Sequence, residues 1–334
     1  MEPLVSILIP AYNAQDWIAD SINSALAQTW RRKEIIIVDD GSADETLRVA
    51  QKFASNLVEV VAQPNQGACV ARNKALSLCQ GDYIQWLDAD DLLAPDKIAR
   101  QLDLVASGMS RRTLLSSAWG RFYYRPQKAA FTPTSLWQDL QPVDCLVLRM
   151  GEGAWMAIES WLVSRELAEL AGPWDTRLLR DNDGEYFSRI ICASDGIRFV
   201  PTARSYVRDG CFGSISCDFS VSEKKLESLF LSLSLQTDHL RSLEDSDRTR
   251  AACLRLLQSQ FIWFYPERES IVKQARQAAS DLGGQLEPPE PSWKYALLHR
   301  LFGWGLTKRV SSAMRKTKVG LFRSWDEFLF HLER

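Results

Sequence analysis

The sequence predicts an α/β fold, a mostly parallel sheet with helices on both faces, followed by a helical C-terminal extension. Three observations carry this expectation. Short apolar runs alternate with helical segments over the first 90 residues. Those runs are near-continuous in Val, Ile and Leu, as strands covered on both faces require. Beyond about residue 220 the pattern is helical throughout. The expected division is a catalytic α/β domain over 1–218 and a helical region over 219–334.

Strands are expected at Val5–Ile9, Glu34–Asp39, Leu57–Ala62 and Tyr83–Leu87. The first helix, around Asp16–Gln28, lines up Trp17, Ile18, Ile22, Ala25 and Leu26 on one face. A second is expected to begin at Ser42, with Glu45 at capping-box spacing. A third runs about Ala68–Leu78, with Gly67 at its start. Further on, Thr113–Ala118 and Phe122–Arg125 read as strands and Leu136–Val147 as a helix. Trp155–Val163 reads as extended chain, Asp183–Ala193 as a helix and Ile197–Val200 as a strand. Helices follow at 222–240, 247–264 and 267–282, then a Pro-rich hinge over Glu287–Pro291 and a basic tail.

Composition narrows the function classes. With 46% hydrophobic and 25% charged residues, the 334-residue chain has the make-up of a soluble globular protein. Its seven cysteines are scattered without a C-x-x-C pair, which argues against a disulfide framework or a zinc site and for a reducing, cytoplasmic setting. No apolar stretch approaches the roughly 18 residues of a membrane span. All three histidines (239, 299, 331) lie in the last third, so chemistry in the first two thirds runs on carboxylates, metal and Arg.

In parallel sheets ligands bind beyond the carboxyl ends of the strands. Three such ends carry distinctive residues: Pro10-Ala11-Tyr12-Asn13, Asp39-Asp40-Gly41-Ser42 and Asp88-Ala89-Asp90-Asp91. Three carboxylates within four residues repel one another unless a cation sits among them. Hard ions such as Mg2+ or Mn2+ suit oxygen ligands and phosphate. The plain alternative is a solvated acidic turn. No G-x-G-x-x-G follows the first strand and no P-loop is present, so phosphate must be held by metal and cationic side chains. Asp40 can accept a hydrogen bond from a base N–H or cap the second helix; Asp39 suits a structural role. Arg72, on the third helix, can pair with an aspartate or phosphate through its fork geometry, or stay solvated.

Val5–Asn13, Ile37–Ser42, Asn65-Gln66-Gly67 with Ala71-Arg72-Asn73, and Trp86–Asp91 resemble, in order and spacing, the successive motifs of family 2 glycosyltransferases. The resemblance covers residues 1–100. It implies the GT-A fold, a nucleotide-sugar donor, a divalent metal and inversion at the sugar. By position it implies that Pro10, Ala11, Tyr12 and Asn13 with Asp40 hold the nucleobase, and that Arg72 and Asp88 orient ribose and base. Asp90 would be the main metal ligand, with Asp91 a second ligand or the cap of the next helix.

Inversion needs a carboxylate base opposite the metal, hence from a distant segment. Arg180-Asp181-Asn182-Asp183-Gly184-Glu185 through Arg189 resembles the family's acidic pair followed by Arg, which points to Asp183, with Asp181 and Glu185 as rivals. Asn182 stands where the pair's first member is usually acidic. Trp155, Trp161 and Trp174 could pack on an acceptor sugar or belong to the core. Tyr206–Arg208 and Gly213–Ser216 resemble the family's closing Arg/Ser segment, which gives Arg208 and, more weakly, Ser216 a place near the diphosphate.

Residues 292–325 hold eight Lys/Arg and no acid, interleaved with Trp, Leu and Phe. Such a segment suits an anionic membrane surface, or a helix packed on the catalytic domain. A nucleic acid partner fits poorly with the acidic remainder. The reading is an inverting transferase moving a sugar, expected from UDP, to a hydroxyl of a glycan or lipid-linked acceptor in cell-envelope synthesis. The alternatives are a sugar-nucleotide nucleotidyltransferase and a non-catalytic sugar-nucleotide-binding protein.

Overall fold

The computed structural model describes residues 2–106, 108–209 and 222–333. Strands β1 (Val5–Ala11), β2 (Lys33–Asp39), β3 (Val58–Ala62) and β4 (Tyr83–Trp86) alternate with helices α1 (Ile18–Leu26), α2 (Thr46–Gln51) and α3 (Ala68–Leu78). Then come β5 (Leu92–Leu93), α4 (Lys97–Val105), β6 (Thr113–Phe122), β7 (Ala130–Phe131), α5 (Pro142–Glu152) and β8 (Val163–Ser164). Helices α6 (Arg165–Ala171) and α7 (Asn182–Ala193) precede the long strand β9 (Gly196–Arg208). The chain ends in α8 (Glu223–Leu243), α9 (Asp247–Gln260), α10 (Glu269–Asp281) and α11 (Ala296–Leu332).

The main sheet has the order β3-β2-β1-β4-β8, with β1 to β4 parallel and β8 antiparallel at the edge. A second sheet, β5-β9-β6-β7, pairs β6 and β9 in parallel. Alternation along the strands splits the interior in two. Ile7, Ile9, Ile35 and Ile37 face α1, whose Ile18, Ile22 and Ala25 are fully buried. Leu8, Ile36, Val38 and Trp86 face the other way, into a cluster that continues through α7 and α8 to α10. Helices α8 to α10 therefore share a core with the α/β half.

Three expected elements differ. The capping box at Ser42 does not form: Ser42 Oγ accepts the Asn13 N–H at 3.0 Å, and α2 starts only at Thr46. The strand expected over Thr113–Ala118 runs on to Phe122, because β9 pairs along the whole of β6 across a bulge at Ser117/Ala118, whereas Tyr123–Arg125, expected as strand, is not one. The helix expected from Leu136 starts at Pro142, where proline's missing N–H is tolerated. Among the described residues, no helix is long and apolar enough to cross a membrane, and Cys69, Cys79, Cys145, Cys192 and Cys253 are free thiols.

Candidate functional site

Parallel pairing brings the carboxyl ends of β1, β2 and β4 to one sheet edge, and the loops there are bound to one another. Asn13, in the left-handed region at φ 48°, accepts the Ala43 N–H on its side chain at 2.9 Å. Asp40 N–H donates to the Ala11 carbonyl at 2.8 Å. Asp40 is buried, and its carboxylate accepts from Gln66 N–H, Gly67 N–H and Gln63 Nε2 at 2.7–2.9 Å. It ties the end of β2 to the start of α3 rather than capping α2. Pro10 and Ala11 close β1, and Tyr12 stands exposed beyond them.

From α3, Arg72 reaches across this edge. Its buried guanidinium donates to Asp88 Oδ1 and to Asn182 Oδ1, both at 3.0 Å, and lies 4.5 Å from the Trp174 ring. The Asp88 charge favours the guanidinium cation against the cost of burial and raises its pKa.

Against the acidic turn after β4 packs a residue that sequence reasoning missed, Glu159 of the short turn Ile158–Ser160. Carboxylate oxygens of Asp88, Asp91 and Glu159 lie within 4.8 Å of one another. Burial and the neighbouring carboxylates push Asp91 well above the usual carboxylate range and Glu159 up to about 8. Both carboxyls are thus favoured in their protonated forms, and among the described residues Glu159 Oε1 has no hydrogen-bond donor. A buried oxygen without a donor amid converging carboxylates fits a hard divalent ion. Asp90 is outside this trio, but its charge raises the pKa of both Asp91 and Glu159. Asp91 does not cap a helix, since α4 begins at Lys97 behind Asp96. The sign of Glu159 in the sequence was a lone acid inside the apolar run Ala157–Val163.

Beneath the trio sits Lys97, fully buried, donating to Gln85 Oε1, with its pKa driven well below normal by burial. Gln85 in turn donates to the Glu159 carbonyl at 3.0 Å. Arg208, expected near the diphosphate, acts as a clamp on the acidic turn. Its N–H donates to Asp91 Oδ1 at 2.6 Å, its Nε to the Asp90 carbonyl at 2.9 Å and its Nη1 to the Tyr123 carbonyl at 2.8 Å. Gly213 and Ser216 lie outside the described residues.

At the start of α7 the three rival acids face different ways. Asp181, at φ 54°, accepts from Ser232 Oγ and Gln236 Nε2 of α8, and burial pushes it up to about 6. Gly184 is required beside it, because a Cβ there would lie 2.3 Å from Asp181 Oδ1. Glu185 pairs with Arg189 at 2.6 Å and with His239 at 3.2 Å. Asp183 alone faces a small cleft lined by Arg149, Trp155, Met156, Trp161 and Phe187. Trp155 Nε1 lies 3.5 Å from Asp183 Oδ2.

The tryptophans expected to offer acceptor surface separate in the same way. Trp174 is buried, stacked at 3.9 Å on Tyr186, and Trp161 is buried against Phe187. Both are core residues, with Trp161 forming only the back of the cleft. Trp155 is 37% exposed, set edge-on to Trp119 at 4.6 Å, with the Arg121 guanidinium 5.6 Å from its ring.

Residues 6–125 match the model of "Glycosyl transferase family 2". Over 107 residues the chain is 43% identical to the putative teichuronic acid biosynthesis glycosyltransferase TuaG of Bacillus subtilis, covering 31% of this chain and 42% of that protein. Over 103 residues it is 48% identical to the chondroitin synthase of Escherichia coli, covering 30% of this chain and 15% of that protein. The chain thus spans less than half the length of these curated relatives. In fold it is similar to S. aureus TarS 1–349 in complex with UDP, with TM-score 0.65, 16% identity and coverage of 94% and 91%. It is also similar to mannosyltransferase PcManGT of Pyrobaculum calidifontis in complex with GDP-Man and Mn2+, with TM-score 0.53, 18% identity and coverage of 98% and 88%. A GT-A-like architecture thus carries, in residues 6–125, a segment that matches glycosyltransferase family 2.

Proposed function

We propose that this chain transfers a sugar from a nucleotide-sugar donor, with a UDP-sugar as first candidate, to a hydroxyl of a glycan or lipid-linked acceptor, inverting the anomeric centre. The observation that carries the reading is the Arg72 bridge. One guanidinium ties Asp88, on the donor side, to Asn182, next to Asp183 on the acceptor side. Relatives named for teichuronic acid and chondroitin support an envelope or extracellular glycan as acceptor class.

In this reading Pro10, Ala11, Tyr12, Asn13 and the loop held by Asp40 form the nucleobase cradle, and Arg72 and Asp88 set the ribose side. Asp88, Asp90, Asp91 and Glu159 are the residues that would hold Mg2+ or Mn2+. When bound, such an ion neutralises charge on the departing diphosphate. Arg208 keeps the acidic turn in place through its contacts with Asp90 and Asp91. Asp183 takes the proton of the acceptor hydroxyl as that oxygen bonds to the anomeric carbon. The electron pair of the breaking carbon–oxygen bond leaves with the nucleoside diphosphate. Trp155 offers the acceptor sugar an apolar face next to Asp183. A lipid-linked acceptor would also give the basic tail a purpose.

The test is a screen of nucleotide sugars with Mn2+, reading released nucleoside diphosphate by NMR, with Asp90→Ala as control. Turnover of one donor, lost in the variant, is expected. Failure to bind or turn over any nucleotide sugar with Mg2+ or Mn2+ would remove the proposal.

A further inference from the structure

Among the described residues, helix α11 packs on the α/β domain and on the segment before α10 through one face. Arg125 donates to Asp326 at 2.8 Å, and Lys308 donates to Glu267 at 2.7 Å. Arg323 donates to the Tyr124 hydroxyl at 3.0 Å, and Phe330 packs 5.9 Å from the Tyr124 ring. Residues 308, 323, 326 and 330 fall on one side at helical spacing. At Gly303 (φ 70°, ψ −172°), a conformation open to glycine, the chain reverses. The preceding turns fold back, so that Tyr295 reaches Met314 at 3.6 Å.

The opposite face of α11 is apolar and, among the described residues, exposed beyond the fold-back. Leu306, Leu321, Trp325, Phe328 and Leu332 recur there, with Leu321 70% and Trp325 62% exposed. Of the 17 large hydrophobic residues exposed among the described residues, 11 lie from Trp293 onward. A patch of this extent on a soluble domain marks an interaction site. Exposed Arg309 and Lys318 flank it, and no Asp or Glu occurs between 292 and 325. An apolar stripe edged by cations matches the boundary between acyl chains and anionic headgroups.

We propose that the outer face of α11, with the fold-back before Gly303, docks on an anionic lipid bilayer and lies in its interface. The docking also sets orientation. Arg323 lies 5.7 Å from the Trp17 ring, and Arg208, which clamps the acidic turn, lies 4.2 Å from the same ring. The inner face of the helix that meets lipid is thus linked through Arg323 and Trp17 to Arg208 at the acidic turn, which suits an acceptor held at the membrane. That purpose rests on the transferase reading; the docking surface itself does not.

Flotation of the full chain with vesicles tests it. One set is phosphatidylcholine alone and the other is phosphatidylcholine mixed with phosphatidylglycerol. Co-flotation is expected with the anionic vesicles and weakens in high salt. The double variant Leu321→Asp/Trp325→Asp should bind about 100-fold more weakly, with its circular dichroism and donor hydrolysis unchanged. Absence of flotation by the wild-type chain, equal flotation with neutral vesicles, or undiminished binding by the variant each overturns the proposal. So does a wild-type dimer in light scattering that the double variant converts to monomer, which would make the stripe a contact between copies. Donor turnover is read separately, so either result leaves the transferase reading to its own test.

Discussion

Asp88 and Asn182 are held by one guanidinium, that of Arg72, at 3.0 Å each, although they lie 94 positions apart in the chain. Arg72 is buried and stacked on Trp174, so its position is set by the core. The relative placement of the two sides of the crevice is therefore built into the resting fold. A lysine has no fork with which to reach both acceptors. Arg72→Lys should destabilise the protein by about 2 kcal/mol, measured as the midpoint of denaturant unfolding. A midpoint equal to wild type would show that the bridge contributes nothing.

Asp183→Asn keeps the shape of the cleft and removes the proposed proton acceptor. Transfer should fall by about 10²–10⁴-fold, while donor affinity measured by calorimetry stays at the wild-type value. Asp181→Asn and Glu185→Gln should change folding stability more than turnover, because both acids are engaged by protein partners. Wild-type turnover in Asp183→Asn would assign the base elsewhere.

Glu159 makes stability depend on pH when no metal is present. Its carboxyl is pushed up to about 8 by burial and then by the Asp88 charge, whereas an ordinary Glu ionises near 4.5. The fold thus keeps a proton that the unfolded chain releases. Its contribution is fully present below the unfolded value and is lost as pH rises through about 8. Glu159→Gln cannot ionise, so its melting temperature relative to wild type should climb as pH rises across that window. Mn2+ should raise the melting temperature of wild type above pH 8 more than that of the variant. Parallel melting profiles for the two proteins, with and without Mn2+, would rule out this role.

Trp155→Ala and Trp174→Ala should separate acceptor binding from packing. Trp155 is partly exposed beside Asp183, and its loss should raise KM for acceptor while leaving slow donor hydrolysis unchanged. Trp174 is buried in a stack with Tyr186, and its loss should cost about 3–5 kcal/mol of stability. The same cost in both variants, without a KM effect in the first, would contradict the acceptor assignment.

Much of the fold was legible because its signals are local. Buried parallel strands read as apolar runs, and α3 and α7 begin within a residue of the expected positions. The carboxyl-end motifs of β1, β2 and β4 were also plain, since they are contiguous and spaced by the strand–helix repeat. Less legible were features decided by partners far along the chain. Ser42 was expected to cap a helix, but Asn13 claims its hydroxyl. A second strand was expected at Phe122–Arg125, but pairing with β9 extends the first to Phe122 and no further.

The sequence by itself determined the fold class, the acidic turn after β4 and the segment that carries Asp183, because these depend on periodicity and on residues close together in the chain. Only the tertiary structure decided that Glu159 joins Asp88 and Asp91, that Arg208 is a clamp, that Trp161 and Trp174 are core while Trp155 is exposed, and which face of α11 is left uncovered. The reason is physical: burial, mutual repulsion of carboxylates and unfilled hydrogen-bond capacity belong to sets of residues brought together by packing, and no single stretch of chain contains them.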